Sequence, residues 1–269
     1  MRSYSKKDIV RSIRNVGIKK GDIVFVNPEI YKFGLYKDAQ TSEDYFKDFY
    51  EILKEIITDK GTLCINTYTF GTLRNNEAFN YNSHKTTSGK LGEIILKDKK
   101  SIRSNHPVFS VTSIGKNSIN ISQNNSKHNY GYNSPYWKIL KYNGKILSLG
   151  MKPWLNPFNH TAEYLTGIPY FFNKHTNVKY FKNRKKVNIT YSSFVRYLDF
   201  DLVPNYRTLE KELNKSKLIK KENLGDGYIY SMNSKKYFDL VLKILSKNQF
   251  AFIDKKFFLN SIKNNKIKN

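Results

Sequence analysis

The chain has 269 residues, with 47 lysines and arginines against 22 aspartates and glutamates, so its formal net charge is +25. Hydrophobic residues make up 39% of it and aromatic residues 15%, which supplies a sizeable core and excludes a disordered polycation. The single cysteine excludes a disulfide framework and a cysteine-based zinc cluster, and it favours a reducing cytoplasm. No apolar stretch suits a signal peptide or a membrane span, and no linker divides the chain. We therefore expect one cytoplasmic domain over residues 1–269, with a basic tail from about residue 258.

The first part of the chain alternates predicted helices with predicted strands. Ser3 or Ser5 can cap a helix that ends near Gly17, because apolar residues recur there at helical spacing. The elements that follow are a strand over 21–27, a helix over 42–57, a strand over 62–70, a helix over 91–96, a strand over 108–114, a helix over 134–140, a strand over 145–150 and a helix from near His160. This alternation predicts an α/β fold, a layered α/β/α sandwich with a mixed central sheet.

After Pro169 the sequence predicts an added β-rich C-terminal part. The β-rich runs 178–181 and 187–191 flank a basic turn over 182–186, which predicts a hairpin. Beyond it we expect a helix over 208–213, a turn over 225–227, a strand over 228–231 and a helix over 235–246.

Charge is distributed unevenly along the chain. Between Asp98 and Asp199 the only acidic residue is Glu163, although this interval is rich in lysine and arginine. Such a region generates a positive field, so we expect an anionic ligand such as coenzyme A or a nucleotide-linked sugar; the alternative is a solvated lysine surface. A lone carboxylate in this field is a candidate functional group.

Histidines are the main candidates for chemistry, because the dinucleotide-binding, P-loop, α/β-hydrolase and zincin signatures are missing from the sequence. His160 and Glu163 lie three residues apart at a predicted helix start, so they share one face. The carboxylate could orient the imidazole as a general base, or the pair could be an ordinary exposed one. His106, before Pro107, could line a pocket at the end of the sheet or be a loop histidine.

Taken together, the segments that contain these histidines and the stretch between them resemble the aminoglycoside 3-N-acetyltransferase family of acetyl-CoA-dependent enzymes. Residues 103–115 resemble its R-[ST]-x-H-P-x-x-S-x-x-x-x-G pattern, and residues 160–163 resemble its H-x-A-E pattern. Residues 130–139 and 144–150 resemble the intervening G-x-x-S-P-x-x-K-L and G-x-[IV]-L-x-[LI]-G segments. The similarity runs from about residue 7 to about residue 255.

The resemblance implies acetyl transfer from acetyl-CoA to an amine, with no metal and no covalent enzyme intermediate. By position, His160 would be the general base and Glu163 its orienting or substrate-binding partner. The coenzyme cleft would involve His106, Ser110 and Ser134, beside a mobile loop that contains Lys85, Thr86 and Ser88. Candidates on the acceptor side are Thr67, Thr69, Glu29, Asp199 and Asp201.

Two features depart from the family pattern. Residues 26–30 read Val-Asn-Pro-Glu-Ile where the family has V-H-[ST]-S-[LM], and Glu29 is expected to point away from coenzyme phosphates or to serve the acceptor. The charge of +25 would repel a polycationic aminoglycoside, so we expect a nucleotide-linked or otherwise anionic amino sugar of surface-glycan biosynthesis. The alternatives are an aminoglycoside-resistance enzyme, a basic nucleic-acid-binding protein and a family member without catalysis. A homo-oligomer is compatible with the sequence.

Overall fold

The computed structural model of the protein describes residues 2–266. Its first two long helices begin at capping boxes, formed by Ser5 with Asp8 and by Thr41 with Asp44. The α-helices of this range are α1 (Lys6–Asn15), α2 (Ser42–Ile57), α3 (Phe70–Arg74), α4 (Lys90–Lys97), α5 (Ser118–Ser122), α6 (Pro135–Lys141), α7 (Phe158–Thr166), α8 (Arg207–Ser216), α9 (Ser234–Lys247) and α10 (Lys255–Lys266). A short 3₁₀ helix spans Ile30–Phe33.

The strands of the described range form one large sheet and two small ones. They are β1 (Ser3–Tyr4), β2 (Ile23–Pro28), β3 (Leu35–Tyr36), β4 (Thr62–Asn66), β5 (Phe79–Asn80), β6 (Ile102–Arg103), β7 (Val111–Gly115), β8 (Lys145–Leu149), β9 (Phe171–Lys182), β10 (Lys185–Arg196), β11 (Lys220–Leu224) and β12 (Gly227–Asn233). The large sheet has the order β11-β12-β8-β2-β4-β7-β6. Its central strands β8, β2 and β4 are parallel, and the flanking pairs are antiparallel. The predicted mixed sheet is confirmed.

Helices cover both faces of the large sheet, because the side chains of its central strands alternate between two apolar clusters. Val24 and Val26 face α1, α2 and α4, whereas Phe25 faces α6, α7, α8 and α9. The ring of Phe25 lies 5.3 Å from that of Phe158, a contact that joins the start of α7 to the central strand. The α/β/α sandwich predicted from the sequence is confirmed.

Two neighbouring strands are shorter than predicted at the same end of the sheet. The strand predicted over 62–70 ends at Asn66, and the one predicted over 108–114 begins at Val111. Residues 67–70 and 108–110 still run side by side, but outside the regular ladder. The amide of Thr67 donates to the carbonyl of Ser110, and further side-chain hydrogen bonds replace the regular pairing.

The predicted hairpin is confirmed, and it is longer than expected. Strands β9 and β10, which we call the hairpin arm, pair over twelve residues each. Much of the basic segment over 182–186 is strand, because the turn needs only Asn183 and Arg184, whose φ angles of 50° and 63° suit a two-residue hairpin turn. Strand β5 joins this arm in parallel to form the second sheet.

The end of the chain holds two elements that the sequence analysis did not predict, β11 and α10. Among the described residues, strand β11 pairs only with β12, through a turn that needs Gly225, because a Cβ atom there would meet the carbonyl oxygen of Phe33. The basic segment expected as a tail belongs to α10, in which Phe258 is buried, and residues 267–269 lie outside the described part.

Cys64 lies in the centre of β4 and is fully buried. Burial raises the pKa of its thiol well above the ordinary value. None of the helices in residues 2–266 has the length and apolar character needed to cross a lipid bilayer.

Candidate active site

The candidate site lies where the parallel strands β2, β4 and β8 end. Carboxyl ends of parallel strands leave a crevice in α/β folds, and here Asn27 and Asn66 stand at the ends of β2 and β4. The chain leaving β8 passes through residues 150–157 and then enters α7. This connection brings the first turn of α7 over the end of the sheet.

Asparagine side chains fix the entry into α7. The side-chain oxygen of Asn156 accepts from the amide of Phe158 at 3.0 Å, and its Nδ2 donates to a carbonyl of the preceding loop. Asn159 is held in turn by the hydroxyl of Tyr237 on α9, which donates to its Oδ1 at 2.6 Å. His160, the next residue, therefore projects from a helix turn that is anchored on both sides.

His160 and Glu163 form a directly bonded pair. Nδ1 of His160 lies 2.6 Å from Oε2 of Glu163, and a carboxylate that accepts there leaves the proton on Nδ1. Glu163 is buried, and its second oxygen accepts from the hydroxyl of Tyr170 at 3.0 Å. The imidazole side chain keeps 30% exposure, so its Nε2 can meet a ligand. The pair has the geometry of a general base with an orienting carboxylate.

Two clefts meet at His160. The larger, of about 590 Å³, is walled by Phe109 and Tyr130 on one side and by the hairpin arm on the other. The smaller, of about 360 Å³, lies towards the sheet and is lined by Asn27, Asn66 and Tyr68, among others. We call them the hairpin cleft and the sheet cleft. A site with two clefts that share one imidazole can bring two substrates to the same nitrogen.

Aromatic rings surround the imidazole. Its ring centroid lies 5.1 Å from that of Tyr130 and 5.4 Å from that of Phe171. Beneath them, the hydroxyl of Tyr68 lies 2.5 Å from that of Tyr136, which donates to Asn66. Burial raises the pKa of the Tyr130 and Tyr136 phenols, so both stay neutral in the physiological range.

The charges around the hairpin cleft are mainly positive. Arg74, Lys174 and Arg196 line it, and Asp199 is its one acidic lining residue in the described part of the chain. Asp201, the other predicted acceptor-side aspartate, is exposed and does not line either cleft in the described part of the chain. The lining of this cleft thus repeats the charge imbalance of the sequence.

Several hydroxyl residues that were predicted to contact substrates are enclosed by protein. Thr67 and Ser110 are buried and share a hydrogen bond of 3.0 Å between their side-chain oxygens. Thr69 donates to the carbonyl of Pro107, and Ser134 accepts from a helix amide as the N-cap of α6. Their hydroxyls therefore hold the scaffold of the site, and their predicted contacts with substrates gain no support.

The segment predicted as a mobile coenzyme loop is tied to the backbone of Tyr68. The hydroxyl of Thr86 donates to the Tyr68 carbonyl at 2.9 Å, and that of Ser88 accepts from the Tyr68 amide at 2.8 Å. Lys85 is exposed beside them. Arg103 secures the same region, because its buried guanidinium donates to the carbonyl of His84. The segment thus supports Tyr68, one of the residues that line the sheet cleft. The coenzyme contacts predicted for Lys85, Thr86 and Ser88 remain predictions.

The remaining predicted residues divide between structure and site. His106 is buried and accepts two backbone amides through Nδ1, which makes it part of a turn; it does not line either cleft within the described residues. Glu29 pairs with Lys32 on the 3₁₀ helix. Asn27, where the family has histidine, donates through Nδ2 to the carbonyl of Leu155 and lines the sheet cleft.

Sequence reasoning missed Tyr170, Tyr130 and Phe171 as site residues. Tyr170 follows Glu163 by seven residues, and no local pattern indicates that the chain returns there after the end of α7. Among residues 2–266, no three or more His, Cys, Asp or Glu side chains group as a metal site requires.

Solved structures share this fold. The chain aligns with AAC-IIIb bound to CoASH at a TM-score of 0.76 and 17% identity, over 91% of this chain and 97% of that one. It aligns with a variant of aminoglycoside acetyltransferase AAC(3)-IVa in complex with a gentamicin at 0.76 and 18% identity, over 94% and 92%. The YokD protein from Bacillus subtilis gives 0.74 and 19%, over 91% and 100%. Comparison with curated protein sequences finds no match. The chain therefore shares the fold of these aminoglycoside acetyltransferase structures.

The sequence comparison identifies the family. The profile described as aminoglycoside 3-N-acetyltransferase matches residues 40–246, a range that includes the histidine–glutamate pair and most of both clefts. The chain belongs to the aminoglycoside 3-N-acetyltransferase family. The resemblance stated from its motifs is confirmed, and the protein is an N-acetyltransferase by family.

Proposed function

We propose that the protein transfers an acetyl group from acetyl-CoA to an amine of an amino sugar, with His160 as the general base. The observation that carries this proposal is the 2.6 Å bond between Glu163 and Nδ1 of His160 at the junction of two clefts. The coenzyme complex of a structural relative supports acetyl-CoA as the donor. The cytoplasm, which contains acetyl-CoA, is the compartment that we propose.

The chemistry requires little beyond alignment and proton transfer, because a thioester is already activated. The amine nitrogen bonds to the acetyl carbon, the carbon–sulfur bond breaks, and Nε2 of His160 accepts the proton that the nitrogen loses. That proton can then pass to the thiolate of the departing coenzyme. Glu163 stabilises the imidazolium in between, and Tyr170 holds Glu163 in place.

Aminoglycosides are the acceptor class that the family match favours, and a structural relative has been solved with a gentamicin. These matches support acetylation of aminoglycosides more than acetylation of the anionic amino sugar expected from the sequence. No comparison supports a role in surface-glycan biosynthesis. The cations Arg74, Lys174 and Arg196 nevertheless favour a second candidate, a nucleotide-linked or otherwise anionic amino sugar.

The test is acetyl transfer by the purified protein. Acetyl-CoA is supplied with gentamicin or with a nucleotide-linked amino sugar, and acetylated products are measured by mass spectrometry. We expect His160→Ala to lower kcat by about 10²- to 10⁴-fold. His175→Ala is the matched control, because His175 is exposed on β9 and lies outside both clefts in the described chain.

The two acceptor classes differ in how they respond to salt. Added salt screens repulsion between the cleft and a polycation, so the KM of an aminoglycoside should fall. Screening weakens attraction to an anion, so the KM of a nucleotide-linked sugar should rise. If the wild-type protein acetylates no amine, the proposal is wrong; salt-sensitive binding of nucleic acid would then favour the alternative without catalysis.

A further inference from the structure

Two histidines outside the catalytic pair make the same set of hydrogen bonds. Nδ1 of His106 accepts the amides of Val108 and Phe109, at 3.2 and 3.1 Å. Nδ1 of His128 accepts the amides of residues 130 and 131, also at 3.2 and 3.1 Å. Because Nδ1 accepts in both rings, the proton of each neutral imidazole lies on Nε2.

Both Nε2 atoms then donate to the hairpin arm. His106 reaches the carbonyl of Ser192 on β10 at 3.2 Å, and His128 reaches the side-chain oxygen of Asn173 on β9 at 2.8 Å. The same part of β10 also bonds to the segment that carries His128, because the amide of Phe194 donates to the side chain of Asn129 at 2.9 Å. The two rings therefore hold the two strands of the arm near its base.

Each histidine joins opposite walls of the hairpin cleft. The turn that His106 caps carries Phe109, and the turn that His128 caps carries Tyr130; both rings line one wall. Phe172 and Lys174, the neighbours of Asn173, belong to the wall formed by the arm. Since the same imidazole bonds to both sides, its two nitrogens fix how far the walls stand apart.

Close packing around His128 gives the contact little freedom. Its ring centroid lies 4.0 Å from that of Tyr164 on α7, one turn beyond His160. A Cβ atom at Gly131 would come within 2.9 Å of the same tyrosine ring, so the turn is fitted closely against α7.

We propose that His106 and His128 are positioning residues for acetyl transfer, which set the width of the hairpin cleft by tying its aromatic turns to the hairpin arm. The inference rests on the proposed function, because it assigns the hairpin cleft to the acceptor. Neither histidine needs to touch a substrate. Their effect reaches the acceptor through Phe109 and Tyr130, whose rings line the hairpin cleft.

The test uses the exposed end of one contact. Asn173→Ala removes the acceptor of His128 Nε2 and leaves the strand backbone intact. Asn177→Ala is its matched control, an exposed asparagine on the same strand whose side chain has no hydrogen bond within the described residues. His128→Asn is the second variant, because asparagine can still cap the turn but cannot reach the arm.

Amide hydrogen exchange is measured first and needs no acceptor. In Asn173→Ala and His128→Asn, we expect exchange in peptides covering 128–134 and 190–196 to quicken about three- to tenfold, with Asn177→Ala unchanged. Kinetics follow with whichever of gentamicin and the nucleotide-linked sugar the wild type acetylates. The KM of that acceptor should rise about three- to tenfold, with kcat at saturation within about twofold of wild type.

The outcomes separate the two proposals. Unchanged exchange in both variants overturns the positioning role, whether or not the protein is active. Faster exchange with an unchanged acceptor KM also overturns it, because the contact would then hold the arm without shaping the site. If the wild type acetylates nothing, the proposed function fails and the positioning role fails with it, although the exchange data would still report the contact itself.

Discussion

The buried imidazole of His106 predicts a defined loss of stability in acid. Burial is the main cause that lowers its pKa, to about 4 from the ordinary value of 6.5. The hydrogen bond to Ser192 opposes this shift, and nearby His128 adds to it. At a pH between these two pKa values, the imidazole of His106 is protonated in the unfolded chain and neutral in the folded chain. The contribution of His106 to the free energy of unfolding is therefore complete above pH 6.5 and falls as the pH drops towards 4.

The difference between the two pKa values corresponds to about 3 kcal/mol of folding free energy, most of it lost by about pH 4.5. Urea unfolding of the wild type and His106→Asn at about pH 7.5 and about pH 4.5 measures it, because asparagine can cap the turn and does not titrate. The wild type should lose about 2 to 3 kcal/mol more than the variant between the two pH values. Equal losses would refute the reasoning. Exposed His175→Asn serves as the control.

Three further substitutions test other contacts. Tyr170→Phe removes the hydroxyl that donates to the buried carboxylate of Glu163. Steady-state kinetics should show kcat lowered about tenfold or less, and urea unfolding should show the free energy of unfolding lowered by about 1 to 3 kcal/mol. Ser134→Ala should cost about 1 kcal/mol of stability through the lost N-cap and leave the KM of acetyl-CoA unchanged; a raised KM without destabilisation would instead indicate a coenzyme contact. Arg103→Lys should speed tryptic cleavage after exposed Lys85, because fewer hydrogen bonds would hold that segment; unchanged cleavage would show that they do not restrain it.

Local signals carried the successful part of the fold prediction. The helix predicted over 42–57 has those bounds in the structure, because Thr41 and Asp44 form a capping box before an amphipathic stretch. Ser5 likewise forms a capping box with Asp8, and Ser134 caps α6 directly before a proline at the first helical position. The alternation of strands and helices was enough to predict both faces of the sheet as covered.

The prediction was poorest where strands depend on distant partners. Strand β11 is polar and lies at the edge of the sheet, so no apolar alternation identifies it. In β9 and β10 the runs 178–181 and 187–191 were predicted, whereas residues 171–177 and 192–196, nearer the base of the arm, were not recognised as strand. Such segments have little intrinsic preference, and the hairpin turn sets their register.

The hydrogen-bonded pair of His160 and Glu163 was visible in the sequence because its two residues share one helix turn. Its surroundings were not, since Tyr130, Tyr170 and Phe171 come from three separate segments. Sequence also cannot separate a hydroxyl that faces a ligand from one that braces the scaffold. Thr67 looked like a binding residue, yet its oxygen bonds to Thr112 at 2.8 Å inside the protein.

The position of Cys64 has a practical consequence for following the reaction. Acetyl transfer releases one coenzyme thiol per turnover, and the protein has only one cysteine, fully buried in β4. A thiol-reactive dye added to folded enzyme would therefore report product without a background from the protein, since a buried neutral thiol is unreactive. The same dye would label Cys64 once the central sheet opens. One reagent can thus measure turnover under native conditions and global unfolding under denaturing ones.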